Sequence, residues 1–330
     1  MTELKRVGIA AIGSYLPEKV LTNEYMESIV DTSDEWITER TGIKERRIVA
    51  EGEYNSDMVT NVVHQLLEQS GLEAGDLDHI IVATITSDRP LPATSCYVQA
   101  KTGATNAAVF DIQAACSGFL YGLKIAKGLI ASGTGKNIIV VGSDVLTSIT
   151  NWSDRTTCVL FGDGCGGVLL QEHQEGMPEL LSTDIGAEGE SSELLTIPAG
   201  GQSLPLTPEL LEKNAHKVIM DGNAIFKKAV RKMVASTRKA LEMSGLEQDS
   251  LDWLVPHQAN KRILLATARG LKIPQESVFM NVHKTGNTSS ASVPVALHEA
   301  ASNGKFDKGN IICMCAFGGG LTWGASVVRW

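Results

Sequence analysis

Residues 107–133 read AAVFDIQAACSGFLYGLKIAKGLIASG, and this stretch decides the fold. Val109, Phe110 and Ile112 spell a short buried strand bounded by small residues. Phe119, Leu123, Ala126 and Ile130 then recur at helical spacing, so a helix follows almost at once. Between the two lies Ala114-Ala115-Cys116-Ser117-Gly118, with nothing bulky to crowd the turn. A thiol there meets the unpartnered N–H groups and positive end of a helix, which favour the nucleophilic thiolate. Free cysteines are also commonly small buried hydrophobes, and from this stretch alone both readings stand.

Working outward, strands are expected at 5–13, 79–85 (HIIVATI) and 137–144 (NIIVVGSD), with FGDGCGGVLLQ (161–171) as a glycine-punctuated strand pair. Residues 56–70 have the spacing of an amphipathic helix, and another helix is expected near 94–102, after Arg89-Pro90-Leu91-Pro92. Thr32-Ser33-Asp34-Glu35 reads as a helix start that sets Trp36 and Arg40 four apart on one face. Such a pair suits a ligand surface, although a packed tryptophan is the commoner case.

The second half restates the first. Ser70-Gly71-Leu72-Glu73, followed by Leu77-Asp78, returns as Ser244-Gly245-Leu246-Glu247, followed by Leu251-Asp252, an offset of 174 (70 to 244). Asn137-Ile138-Ile139 returns as Asn310-Ile311-Ile312, an offset of 173 (137 to 310). Two matches at nearly one offset point to duplication, with halves at 1–174 and 175–330. Shifted by that offset, Cys116 lands near 289, within His283-Lys284-Thr285-Gly286-Asn287-Thr288-Ser289-Ser290, again just before a helix (293–301). The strand at 251–256 ends in Pro256-His257-Gln258-Ala259-Asn260. Strands of such sheets present ligands at their carboxyl ends, so Cys116, His257 and Asn287 are expected to converge where the halves meet. Phe317-Gly318-Gly319-Gly320 follows the strand IICMCA, and its glycines allow the close backbone approach that an oxyanion hole needs.

Composition bounds the rest. A chain of 330 residues exceeds one small core, and 43% apolar residues with 32 glycines fit a globular α/β class. A net charge of −9 argues against nonspecific nucleic-acid binding. The apolar run in MTELKRVGIAAIGSYLP is too short for a signal peptide, and no later segment has membrane-spanning length. Six cysteines with neither CxxC nor zinc spacing suit a reducing, cytoplasmic setting without a metal.

On DTSDEWITERTGI (31–43), AACSGF (114–119), FGDG (161–164), HQAN (257–260), GNTSSAS (286–292) and FGGGLTWG (317–324), the chain resembles the β-ketoacyl-acyl-carrier-protein synthase III family of thiolase-fold condensing enzymes. The resemblance implies a thiolase-like five-layered α-β-α-β-α fold from two duplicated halves, in a homodimer. It implies the initiating step of type II fatty acid synthesis. An acyl group passes from acyl-CoA to Cys116 and is condensed with malonyl-acyl-carrier-protein, with loss of CO₂ and no cofactor. Cys116, His257 and Asn287 would be catalytic, with the N–H groups of Cys116 and Gly319 as the oxyanion hole. Thr32, Trp36, Arg40, Arg155, Phe226, Asn260 and Arg262 would line the CoA or phosphopantetheine entrance. Thr156, after Arg155, stands where the family often has glycine, which puts a backbone contact there in doubt.

Residues 226–241 carry six basic side chains and no acidic one. Charge runs are usually solvated faces. With an acidic carrier as partner, Lys227, Lys228, Arg231, Lys232, Lys261 and Arg262 become the expected docking patch. Leu91, before Pro92, would close the acyl pocket of the partner subunit, a place where some members carry Phe.

Other readings fit less well. Cys, His and Asn also occur in that order in papain-like hydrolases, but the CGSCW-type signature is absent and the duplicated architecture is wrong for them. Thiolase proper needs a second cysteine in the final glycine loop, and elongating relatives place histidine where Asn287 stands. A scaffold with a dead site leaves the three polar groups unexplained. A related ketide synthase for a secondary metabolite or signalling molecule keeps all three and stays open, as does the primer.

Overall fold

The structure is a computed structural model that describes residues 4–330; Met1–Glu3, the start of the stretch read for a leader, lie outside them. Among the described residues, apolar β-rich runs assemble a nine-stranded sheet. Its strands are β1 Val7–Tyr15, β2 His79–Ala83, β3 Ala108–Ile112, β4 Ile138–Val145, β5 Asp163–Glu172, β6 Glu179–Ala187, β7 Trp253–Pro256, β8 Ile311–Gly318 and β9 Thr322–Arg329. The longer helices are α1 Asp34–Thr41, α2 Asn55–Ser70, α3 Thr94–Thr102, α4 Gly118–Ala131, α5 Gly222–Met243, α6 Lys261–Leu271 and α7 Ser292–Ser302.

The strand order is β7-β8-β9-β6-β1-β5-β4-β2-β3, and it reads alike in both directions from the β1–β6 contact. Outward from β1, the pairings to β5 and β4 are antiparallel, and those to β2 and β3 are parallel. Outward from β6, the pairings to β9 and β8 are antiparallel and that to β7 is parallel. A lone parallel bridge from Leu254 to Val278 stands where β3 stands on the other side.

Burial sorts these elements into five layers. Helices α4 and α7 are largely apolar, as central helices must be, with Lys124 and Lys127 of α4 donating to carbonyls of β6. Phe119, Leu123 and Ile130 of α4, with Val293 and Leu297 of α7, share one cluster with Ile81, Val140 and Val168 on one side and Val255, Met314 and Val328 on the other. The opposite face of the first group of strands carries α2 and α3, through Val59, Val62, Leu66 and Val98. That of the second group carries α5 and α6, through Ile225, Met233, Ile263 and Leu271. The layers therefore run helix, sheet, helix, sheet, helix, as in the five-layered thiolase-like class.

Two local readings need correction. Residues 161–171 form no strand pair: 163–172 is one strand, whose glycines lie beneath α7 and beside β4 instead of in a turn. Nor is 108–112 a buried strand, because β3 is the outermost of the sheet and Val109, Phe110 and Ile112 are only half-buried.

Candidate active site

Cys116 sits in a single 3₁₀ turn, Ala115–Ser117, between β3 and α4. Ser290 sits in the matching turn, Ser289–Ala291, before α7. The first residue of each turn takes a left-handed backbone without being glycine, Ala115 at φ 45° and Ser289 at φ 52°. These two residues are 174 apart (115 to 289), the offset of the sequence repeat. Each turn crosses to the strands of the other half. A Cβ on Gly318 of β8 would lie 2.5 Å from Cys116 N, and one on Gly142 of β4 would lie 2.2 Å from Ser290 O. Only glycine lets the backbones approach so closely.

The two other polar groups come from the second half. His257 extends β7 by one residue, donating its backbone N–H to Cys315 O at 2.7 Å. Asn287 exchanges backbone hydrogen bonds with the FGDG segment: its N–H donates to Leu160 O at 2.8 Å, and its carbonyl accepts Gly162 N–H at 3.0 Å. The Asn287 Oδ1 accepts Ser289 N–H at 2.9 Å, which leaves the amide NH₂ to face the cavity. His257 Nδ1 lies 2.6 Å from Ser292 Oγ, and burial pushes the imidazole down to about 4, so the ring is neutral at pH 7.

Burial also pushes the Cys116 thiol up to about 12; a hydrogen bond with Ser289 opposes this, and the charge of Asp144 adds to it. This runs against the thiolate expected from a helix start. The thiol lies among apolar walls, where desolvation disfavours the anion more than the turn's N–H groups favour it.

Asp144 lies beneath the site, fully buried and pushed up by that burial. It accepts from Ile85 N–H at 2.8 Å, Thr84 Oγ1 at 3.0 Å, Thr86 Oγ1 at 3.0 Å, Ser290 N–H at 3.2 Å and Ser290 Oγ at 2.8 Å. This is why the strand expected over 79–85 ends at Ala83: the next three residues leave the sheet to bind the carboxylate.

Two cavities meet at Cys116. One, of about 760 Å³, is lined by Cys116, His257 and Asn287 together and runs out past Phe226, Arg40 and Trp36. The other, of about 360 Å³, is walled by Ile85, Leu146, Ile149, Leu195 and Val218, with Gly319 at its mouth.

Of the residues expected at the entrance, Trp36, Arg40, Phe226, Asn260 and Arg262 line the larger cavity. Arg40 and Arg155 stand over the Trp36 ring at 4.8 and 5.3 Å, and Arg262 stands over Phe226 at 5.6 Å. Three details differ from expectation. Asn260 Oδ1 is spent capping α6 through Ile263 N–H at 3.0 Å. Arg155 lies outside the wall and donates to Asp31 O at 2.7 Å. Thr32 also lies outside it, with its hydroxyl buried and without a partner among the described residues.

The basic stretch divides as well. Lys227, Arg231, Lys261 and Arg262 are exposed. Lys228 and Lys232 instead turn onto Glu188, and with Ser191 they hold its carboxyl down to about 2. Lys232 Nζ also sits 3.7 Å from the centre of the Trp323 ring. Leu91 is 83% exposed and lines neither of the two cavities that meet at Cys116. Sequence reading missed Ser289, Ser292 and Asp144. The repeat offset applied to Ala115 and Gly118 marks the two serines, whereas nothing local marks Asp144.

The layered fold and its crossed turns define the class, that of the thiolase-like condensing enzymes. Residues 110–189 match the family described as 3-Oxoacyl-[acyl-carrier-protein (ACP)] synthase III, and residues 241–330 match its C-terminal counterpart. The chain is 51% identical over 318 residues to the beta-ketoacyl-[acyl-carrier-protein] synthase III of Roseiflexus sp. (strain RS-1), covering 96% of each chain. It is 48% identical over 330 residues to that of Caldanaerobacter subterraneus subsp. tengcongensis, covering 100% of this chain and 99% of the relative. The crystal structure of 3-oxoacyl-[acyl-carrier-protein] synthase III from Aquifex aeolicus VF5 superimposes with a TM-score of 0.90 at 46% identity, over 98% of this chain and 100% of that one. This chain belongs to the β-ketoacyl-[acyl-carrier-protein] synthase III family.

Proposed function

We propose that the chain performs the initiating condensation of type II fatty acid synthesis, with Cys116 as acyl acceptor and His257 and Asn287 as hydrogen-bond donors. The supporting observation is the meeting at Cys116 of a wide cavity that also carries His257 and Asn287 and a smaller, apolar one. The thiol attacks the carbonyl of an acyl-CoA, CoA leaves with the proton, and the acyl chain is held as a thioester in the apolar cavity. Splitting the transfer in two lets one cavity serve both thioester substrates in turn.

Malonyl-acyl-carrier-protein then enters through the same opening and loses CO₂. Charge develops on its thioester oxygen, where His257 Nε2–H and the Asn287 amide donate. Each such donor is typically worth roughly 3 kcal/mol of barrier. A neutral His257 suits donation better than proton abstraction, since an imidazole held near 4 is a weak base. The carbanion attacks the carbonyl carbon of the Cys116 thioester, and the N–H groups of Cys116 and Gly319 receive the oxyanion. Its collapse breaks the C–S bond to Cys116, and the departing sulfur takes a proton from solvent. The products are a 3-oxoacyl-acyl-carrier-protein, CO₂ and CoA. The proposed reaction proceeds without a cofactor or metal.

Trp36, Arg40 and Arg262 serve the adenine and phosphates of CoA, with Arg155 backing the Trp36 ring and Thr32 and Asn260 beside the opening. The exposed Lys227, Arg231, Lys261 and Arg262 dock the acidic carrier, with Lys228 and Lys232 secondary because Glu188 already engages them. We read the chain as two duplicated halves, 1–174 and 175–330, with the boundary in the loop between β5 and β6. The working unit is a homodimer joined along β3, in which Leu91 of each subunit closes the acyl pocket of the other. Among the described residues no helix is long and apolar enough to cross a membrane. The reaction is read as cytoplasmic, where its CoA and carrier substrates would be met.

The test is incubation with acetyl- or isobutyryl-CoA followed by mass spectrometry, then a chase with malonyl-acyl-carrier-protein. An acyl thioester on Cys116 that converts to a 3-oxoacyl carrier is the expected result. Release of free acid, or no adduct, overturns the reading.

A further inference from the structure

The acceptor atoms of both donors are engaged by one turn. Ser289 N–H takes Asn287 Oδ1 at 2.9 Å, and Ser292 Oγ lies 2.6 Å from His257 Nδ1. Ser292 is the first residue of α7 and is only 2% exposed. Its Oγ also accepts the Gln258 N–H at 3.3 Å. A hydroxyl has one hydrogen, and Nδ1 is the acceptor within its reach among the described residues. With that hydrogen on Nδ1, every group is satisfied. If Nδ1 carried the proton instead, Ser292 Oγ would face two donors and its own hydrogen would be buried without a partner, a costly arrangement. A neutral imidazole has one proton, so it resides on Nε2, the nitrogen left for the cavity.

We propose that Ser292 is a positioning residue for the condensation: its hydroxyl donates to His257 Nδ1 and fixes the ring as the Nε2–H tautomer. The proposal rests on the reading of His257 as a donor to the enolate. The first turn supplies the contrast. At the offset of 174, Ser292 corresponds to Gly118 and His257 to Ala83. A Cβ on Gly118 would lie 2.9 Å from Ala83 Cβ, so that copy has no room for such a pair. The serine is present in the copy that carries the histidine.

The test begins with ¹⁵N-histidine NMR of the intact wild-type chain at pH 7. His257 is expected to show a protonated Nε2 and a bare Nδ1, a result that needs neither turnover nor a variant. In Ser292→Ala the fixed tautomer is lost, and malonyl-CoA decarboxylation falls about tenfold, as when an orienting partner of a histidine is removed. Formation of the Cys116 thioester from acetyl-CoA falls less, and Ser292→Cys, a weak donor, lies between. A protonated Nδ1 in the wild type overturns the proposal, as does a Ser292→Ala enzyme with an unchanged tautomer and an unchanged ratio of the two half-reactions. Undiminished decarboxylation by His257→Ala would instead remove the donor reading, which the NMR result does not depend on.

Discussion

The turns at Cys116 and Ser290 share a backbone path and differ in what they offer. Both follow a strand or its remnant, both begin on a left-handed non-glycine residue, and both open a central helix. At four corresponding positions the first carries Ala83, Gln113, Cys116 and Gly118, and the second carries His257, Asn287, Ser290 and Ser292. Cys116 faces two cavities. Ser290 Oγ turns inward, 2.8 Å from Ala83 O and 2.8 Å from Asp144. One frame can therefore present a thiol to two cavities or act as a brace. The choice follows from what lies beneath, an apolar hollow in one copy and a buried carboxylate in the other.

The largest effect is expected at Cys116, the proposed acyl acceptor. Cys116→Ser is expected to abolish thioester formation, and adding Ser290→Cys to it should restore none, since that position is buried against Asp144. Intact-mass analysis after acyl-CoA treatment checks both, and acylation at residue 290 would show that the two turns are interchangeable. Next comes Asn287→Asp, which sets a carboxylate where the proposed enolate charge develops. Decarboxylation should fall by about 10²–10³. Acylation should change far less, and equal losses in the two half-reactions would refute the division between the turns.

The Cys116 turn also sets burial against a helix end. With the thiol near 12, the thiolate fraction gains about tenfold per pH unit up to pH 10, and iodoacetamide alkylation should follow it. A rate plateau near neutrality would mean that the helix end wins. The second turn gives the opposite sign: His257 is a base whose folded pKa is depressed, so its neutral form persists as pH falls. The acid limb of decarboxylation should therefore lie near 4 and not at the free-imidazole value.

Smaller effects concern the proposed closure of the acyl pocket by the partner subunit and the exposed basic face. Leu91→Phe should move primer preference towards acetyl-CoA by roughly 1–3 kcal/mol, the worth of a small change in a hydrophobic pocket. Competition among acetyl-, isobutyryl- and longer acyl-CoAs reads this, and unchanged ratios would mean that something else closes the pocket. Least of all, reversing Lys227 and Arg231 should raise KM for the malonyl carrier a few-fold. Carrier KM should also rise with salt, which screens charges beyond about 10 Å at 0.1 M. Lys228→Ala should do less, because Glu188 already holds that charge.

The sequence by itself carried the strand–turn–helix at 108–131, the repeat at an offset of 174, and Cys116, His257 and Asn287 as the polar set. Those readings rest on periodicity, turn chemistry and spacing, which are local or follow from duplication. It misread β3 as buried and β5 as two strands, because how deep a strand lies depends on neighbours it does not encode locally. Tertiary structure alone decided that burial drives the Cys116 thiol up, against the pull of the helix end. It also decided that Asp144 captures Ser290 across 146 residues of chain, and that Glu188 takes Lys228 and Lys232 from an otherwise basic face. Desolvation and ion pairing are set by groups brought together from distant parts of the chain, and a pattern read along the backbone does not contain those distances.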